Sequence, residues 1–222
     1  MTERQRFFES VYRDNLWDSR ESRSGQGSEV AYTAALIAEL PPLFKQIGVT
    51  SIVDVPCGDF NWMRHVDLEG IKYVGADIVP EIVQANQARF GSDARRFVQA
   101  DIIDGELPAA DLVFCRDCMI HFSLPLIERA LRNILSGPAR YLMLTHDTSV
   151  ERYAAANGAN VAIDDAGNGV NYLYRPLNFT LAPFFFPSPL QVINEGQWDN
   201  CKTMALWRCD DLRKLQTGQP PG

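Results

Sequence analysis

Positive charge is in deficit in this sequence: 21 Lys and Arg stand against 28 Asp and Glu, a net charge of −7 over 222 residues. Such a chain lacks the basic stripe with which proteins grip a phosphate backbone, so nucleic acid is not expected as a partner. A membrane span is also lacking. The longest apolar stretch, Phe179 to Ile193, is broken by Pro183, Pro187 and Pro189 and falls short of the roughly 20 residues a bilayer demands. The opening Met-Thr-Glu-Arg-Gln-Arg is charged and carries no apolar signal core, which fits a cytoplasmic protein. Cysteine is sparse and odd in number, at 5. With Cys57, Cys115 and Cys118 in or beside expected strand ends, reduced thiols fit better than a disulfide framework. Cys115-x-x-Cys118 has no second pair at finger spacing, because Cys201 and Cys209 stand far off, so no metal site is expected. A full G-x-G-x-x-G is missing too. The turn near residue 58 keeps only Gly58, with Pro56 and Phe60 at the other two positions. That argues against a nicotinamide or flavin dinucleotide, whose pyrophosphate needs those glycines and a helix N-terminus.

What remains is ordinary globular usage, 46% apolar and 22% charged, in a length suited to one α/β domain with a small addition. Such a domain buries enough core to need no covalent staple. Three apolar runs each end in a carboxylate. Ser51-Ile52-Val53 runs into Asp54 and a tight turn through Pro56, Cys57 and Gly58; Ile71 to Ala76 runs into Asp77; Arg96 to Ala100 runs into Asp101. Short β-rich runs separated by helix-length stretches read as successive βα units of a parallel sheet, which binds ligands outside the carboxyl ends of its strands. Any one of the three carboxylates alone reads as a solvated loop residue. Three at near-equal intervals point to one nucleoside-bearing cofactor, because an ionised carboxylate is a bidentate acceptor for a ribose diol.

Around these runs the chain divides readily. Phe7, Phe8, Val11, Tyr12 and Leu16 have helical spacing over residues 3–20. A small-residue loop, Ser22 to Ser28, leads to a second helix near 29–40, which Pro41-Pro42 is expected to stop. Strands are expected at 50–55, 71–76, 95–100, 110–115 and 139–145, and helices most clearly at 80–90 and 124–135. Residues 146–189 are mostly aperiodic and rich in aromatics, with one short helix near 150–156; a loop this long in a compact domain is usually functional. Two closing strands, 190–195 and 202–209, have too short a connection for a parallel crossover and should pair antiparallel. Three parts are therefore expected: a helical lid at 1–47, a domain at 48–209 with an acceptor-pocket insertion at 146–189, and a flexible tail at 210–222.

Over about residues 48–209 the chain resembles the class I S-adenosylmethionine-dependent methyltransferases. The resemblance rests on Asp-Val-Pro-Cys-Gly-Asp-Phe-Asn-Trp, 54–62, the acidic residues at 77, 101 and 111, and Cys-Arg-Asp-Cys-Met-Ile-His-Phe, 115–122. The first and last wordings are similar to those of a small bacterial subgroup. The resemblance implies an α/β, doubly wound, Rossmann-like sheet of seven mostly parallel strands with an antiparallel last strand, preceded by a helical segment. It implies S-adenosyl-L-methionine as cofactor. Asp77 would bind the ribose hydroxyls and Asp101 the adenine amino group, with Ile102 against the ring and Ile78 also in contact with the cofactor. Asp54, Pro56, Cys57, Gly58, Trp62, Cys115 and Arg116 would complete the cofactor site. Trp17 and Arg23 would close over it, with Arg23 on the methionyl carboxylate.

The reacting centre is expected after the fourth strand, at Arg116, Asp117 and His121. Each has a plain alternative as a solvent-facing or helix-start residue. Only here, however, do a cation, a carboxylate and an imidazole fall together, and histidine is the side chain best poised for general-base work near neutral pH. His146, Tyr172, Tyr174, Arg175 and Asn178 are candidates for the acceptor pocket, since aromatic and polar residues alternate there. Asn61 reads as packing and His65 as surface. The expected activity is methyl transfer to an oxygen, hydroxyl or carboxylate, of a small molecule or glycan-type metabolite. A small-molecule N-methyltransferase and a non-catalytic cofactor-binding partner subunit stand as alternatives, and a homodimer is left open.

Overall fold

Apolar residues fill the middle of the short strands, as in Ser51-Ile52-Val53-Asp54 and Leu112-Val113-Phe114-Cys115, and in a parallel sheet such residues are buried on both faces. The computed structural model describes residues 1–157, 175–196 and 201–216. Its strands are β1 Ser51–Asp54, β2 Lys72–Asp77, β3 Arg95–Gln99, β4 Leu112–Cys115, β5 Tyr141–Asp147, β6 Gln191–Asn194 and β7 Lys202–Arg208. They form one sheet in the order β3-β2-β1-β4-β5-β7-β6. The first five strands run parallel, and β7 is antiparallel to both β5 and β6. This is the doubly wound, Rossmann-like sheet expected from the sequence.

Alternation along the strands feeds two cores. Val53, Val113 and Leu142 face one cluster, and Ile52, Phe114 and Met143 face the other, as a side-chain period of two dictates. The helices are α1 Glu3–Asp14, α2 Val30–Ile47, α3 Pro80–Phe90, α4 Leu124–Ser136, α5 Val150–Asn157 and α6 Cys209–Gln216. On the first face lie Ile127, Leu131 and Ile134 of α4; on the second lie Leu36, Leu40 and Phe44 of α2. Asp111 staples the strand beginnings together. Its Oδ2 accepts the Thr50 and Ser51 N–H groups at 2.8 and 3.2 Å and the Thr50 hydroxyl at 2.8 Å. The strand order reverses between β1 and β4, which places the ligand crevice outside their carboxyl ends.

Several boundaries differ from the sequence reading. Pro41-Pro42 does not stop α2, which continues to Ile47 and ends at Gly48 with φ 64°. Leu36 and Leu40 before the prolines and Leu43 and Phe44 after them are buried together, and that packing outweighs the roughly 3 kcal/mol an interior proline costs. Helix α1 ends at Asp14, where Asn15 takes the left-handed conformation at φ 52°. The expected tail begins instead as α6. Leu212 is buried, and Arg213 donates to the carbonyls of Leu135, Gly137 and Ala139 at 2.9, 2.7 and 2.9 Å. In the aromatic insertion, Phe179, Phe184 and Phe186 pack on one another and on Trp207. The closest ring centroids are 4.8 Å apart. This triplet belongs to the core. Tyr172 and Tyr174 lie outside the described residues. Among the described residues no helix is long and apolar enough to cross a membrane.

Candidate active site

Outside the carboxyl ends of β1, β2 and β4 lies a cleft of about 980 Å³, partly open to solvent. The three strand-end carboxylates all line it. Asp77 accepts the Gly58 N–H at 3.1 Å and the Val79 N–H at 2.9 Å, and burial pushes its carboxyl up to about 6. Asp54 accepts the Tyr73 hydroxyl at 2.6 Å, and burial pushes it up to about 7. Asp101 accepts the Ile103 N–H at 2.9 Å and is paired with Arg4 of α1 at 2.8 Å. That ion pair draws α1 over the cleft, where Phe8, Val11 and Tyr12 form its roof. Pro56, Cys57, Gly58, Trp62, Ile78 and Ile102 line the walls. Cys57 is buried, and its thiol is pushed well above its ordinary value.

The loop that follows α1 is tied to the turn after β1. Asp59 accepts the Ser22 hydroxyl at 2.9 Å and the Arg23 N–H at 2.7 Å, and donates its own N–H to Ser24 Oγ at 2.9 Å. Asn61 donates to Glu21 at 2.6 Å and to the Ser28 carbonyl at 3.0 Å. Gly58, at φ 54°, is required here, since a Cβ would stand 2.3 Å from Ser24 Oγ. Trp17 and Arg23 thereby come to line the cleft. The buried Trp17 Nε1–H has no hydrogen-bond partner among the described residues, so a donor is left over in the cleft wall. Asp59 was not singled out from the sequence; the only signal was a serine-rich loop in need of an acceptor.

Beyond β4 four charges form a buried network. Arg116 makes a bidentate pair with Glu195, Nη2 to Oε2 at 2.6 Å and Nε to Oε1 at 3.3 Å, and donates to the Gly27 carbonyl at 2.8 Å. Its Nη1 lies 3.2 Å from Asp117 Oδ2, and its guanidinium sits 5.5 Å from the Trp62 ring centre. Lys202 Nζ bridges Asp117 at 2.6 Å and Glu195 at 3.3 Å. Burial alone would raise the Asp117 carboxyl, but Arg116 and Lys202 hold it down at about 2. Arg116 is held further above its ordinary value, because its carboxylate partners outweigh burial. Glu195 and Lys202 were missed in the sequence. They lie just past β6 and at the start of β7, and nothing local marks a charge there as buried.

These positions correct several expectations. Arg116 and Asp117 line the cleft, yet the guanidinium fork of Arg116 is closed by Glu195 and is not open to a bidentate acceptor. His121 is buried against Trp17, rings stacked at 5.1 Å, and is not among the lining residues. Cys115 lies within the core, and Cys118 takes the lining position. A hydrogen bond between the two thiols, with burial, raises Cys118 well above its ordinary value. His146 is packed edge-on to Trp207 at 5.6 Å and accepts the Phe179 N–H at 3.3 Å; burial lowers it to about 4. Arg175 donates through its side chain to the Phe122 carbonyl and through its N–H to the Ile120 carbonyl. Asn178 Oδ1 accepts both the N–H and the hydroxyl of Thr180, at 3.0 and 2.6 Å. His146, Arg175 and Asn178 hold structure and do not line the cleft.

Residues 52–137 match the family model described as a methyltransferase domain. No curated protein matches the sequence. Among solved structures, the chain is similar to human N-acetylserotonin methyltransferase in complex with S-adenosylmethionine, at 15% identity and TM-score 0.55. The match covers 93% of this chain and 55% of the human one, so the chain spans about half the length of that protein. It is also similar to magnesium protoporphyrin IX methyltransferase from Synechocystis with bound S-adenosylhomocysteine, at 13% identity and TM-score 0.58 over 92% and 97% of the two chains. A third likeness is to the mitomycin 7-O-methyltransferase, at 16% identity and TM-score 0.58 over 82% and 54%. At these identities the likenesses establish the fold. Within that fold, residues 52–137 match a methyltransferase domain, and the cleft lies at the strand ends.

Proposed function

We propose that the protein transfers a methyl group from S-adenosylmethionine to an oxygen of a small molecule. One observation carries this reading: Asp54, Asp77 and Asp101 converge on a single roofed cleft that also holds an unsatisfied Trp17 N–H. The donor set fits the cofactor. In this reading Asp77 accepts the ribose hydroxyls and Asp101 the adenine amino group, while Ile78 and Ile102 flank the ring. Arg23 and the Trp17 indole N–H suit the methionyl carboxylate. When bound, the cofactor supplies an electrophilic methyl group on a sulfonium. The name of the similar mitomycin 7-O-methyltransferase supports oxygen as the acceptor atom.

Arg116, Lys202, Asp117 and Glu195 balance to zero charge at the acceptor end and fix a polar wall without a strong base. Asp117, held at about 2, is ionised at neutral pH and takes up protons poorly. Orientation and exclusion of water therefore supply most of the rate in this proposal, and His121 supports Trp17 from behind. The test is incubation with methyl-labelled S-adenosylmethionine and a panel of hydroxyl-, carboxyl- and amine-bearing metabolites. Label on oxygen is expected. Cofactor binding with no labelled product, or label on nitrogen alone, would overturn the proposal.

A further inference from the structure

On the other side of loop 19–23 lies a second cleft, of about 690 Å³ and open to solvent. One wall comes from that loop, one from Asp59, Asn61 and Arg64, and one from residues 85–90 of α3. Four arginines line it: Arg20, Arg23, Arg64 and Arg89. Several arginines elsewhere in this acidic chain find carboxylates, among them Arg4, Arg13, Arg116, Arg129 and Arg213. The four in the cleft make no ion pair among the described residues, and three are held by neutral groups. Arg64 donates to His65 Nε2 at 3.1 Å and to Asn61 Oδ1 at 3.3 Å. The Arg89 guanidinium sits 5.0 Å from the Phe90 ring centre, and Arg23 donates to the Arg13 carbonyl at 3.5 Å.

The cleft also contains two carboxylates, and they too are satisfied by neutral donors. Glu21 accepts from the Val30 N–H at 2.8 Å and from the Asn61 amide at 2.6 Å. Asp59 accepts from Ser22, Ser24 and the Arg23 N–H. Positive charge is thus gathered in one concave, polar place on a chain of net charge −7, where four arginines stand against the two carboxylates Glu21 and Asp59. A guanidinium fork matches phosphate oxygens bidentately. Four forks offer more donors than one phosphate can accept.

We propose that this cleft is a binding site for the diphosphate group of a small molecule, separate from the cofactor cleft. Tyr12 and Arg23 line both clefts, so the occupant rests against the loop that roofs the cofactor. The site itself does not depend on methyl transfer.

The experiment is calorimetric titration of the full chain with inorganic pyrophosphate at constant ionic strength, alone and after saturation with S-adenosylhomocysteine. One-to-one binding is expected in both conditions. Arg64→Ala and Arg89→Ala should each weaken it roughly tenfold, the worth of a lost hydrogen bond to a charged group. Both side chains are exposed and free of ion pairs, so the fold, followed by melting temperature, should persist. Arg132→Ala, an exposed arginine on α4, should change nothing. Absence of binding would overturn the proposal. So would an equal loss in Arg132→Ala, which would mark general charge attraction, or abolition by S-adenosylhomocysteine, which would place the anion in the cofactor cleft. The arginine variants remain decisive even if the cofactor product does not bind.

Discussion

Arg116 and Glu195 lie 79 positions apart and meet in a bidentate ion pair at 2.6 and 3.3 Å, with side chains 4% and 1% exposed. The pair joins the end of β4 to the end of β6, and through the Gly27 carbonyl it also reaches the N-terminal segment. Removing one partner strands a buried charge, which costs about 3–5 kcal/mol. Glu195→Ala should therefore lower the unfolding free energy by about that amount in urea denaturation. A loss well under 1 kcal/mol would show that Asp117 alone satisfies Arg116.

Asp77 makes the cofactor site sensitive to pH. Its carboxyl is raised to about 6 by burial, and the proposed ribose contact needs the ionised form. Binding should therefore release a proton, and affinity for S-adenosylhomocysteine should rise as pH increases through about 6 and level off above. Asp77→Asn should remove roughly 1.5–3 kcal/mol of affinity and flatten the pH dependence. Titrations in two buffers of different ionisation heat measure both effects, and an unchanged affinity in the variant would refute the ribose assignment.

The Asp59 carboxylate holds the Ser22–Ser24 loop over the cleft. Asp59→Ala should loosen that loop, expose residues 19–24 to limited proteolysis and weaken S-adenosylhomocysteine binding roughly tenfold. The sheet and its two cores should stay folded, as judged by far-ultraviolet circular dichroism. Unaltered proteolysis and affinity together would mean that the loop is held by other contacts.

Asp54 gives the fold itself a pH dependence. Its carboxyl titrates near 7 in the folded protein against an ordinary value of 3.8, so the folded state binds the extra proton between about pH 4 and 7. Stability contributed by this group is fully present below pH 4 and is lost as pH rises through 7. The upper bound is about 4 kcal/mol, from roughly three pKa units at 1.36 kcal/mol each. His146, lowered to about 4, acts with the opposite sign between about pH 4 and 6.5. Comparison of Asp54→Asn with the parent isolates the carboxylate. The variant should gain stability relative to the parent as pH goes from 5 to 8, and a pH-independent difference would contradict the buried ionisation.

The cofactor half of the site was legible in the sequence because it is built from consecutive residues. An apolar run that ends in Asp54, Asp77 or Asp101 carries strand, strand end and carboxylate in one short stretch, and parallel pairing then brings the three ends to one edge. Strand β1 illustrates this, since it ends at Asp54 and the turn through Pro56, Cys57 and Gly58 that follows it already lines the crevice. The acceptor half was not legible. Arg116, Glu195 and Lys202 look like ordinary surface charges in their local sequence, and only the pairing of β5, β6 and β7 buries them together. His121 read as a base because of its neighbours in sequence, but packing put the Trp17 ring between it and the cleft. Pro41-Pro42 read as a stop because local propensity disfavours an interior proline, and burial of one continuous apolar face overruled it. By itself, then, the sequence determined the sheet and the strand-end carboxylates, which follow from short-range periodicity. The tertiary structure alone decided the charge network, the loop docked on Asp59 and the place of His121, because each depends on contacts between segments tens of residues apart.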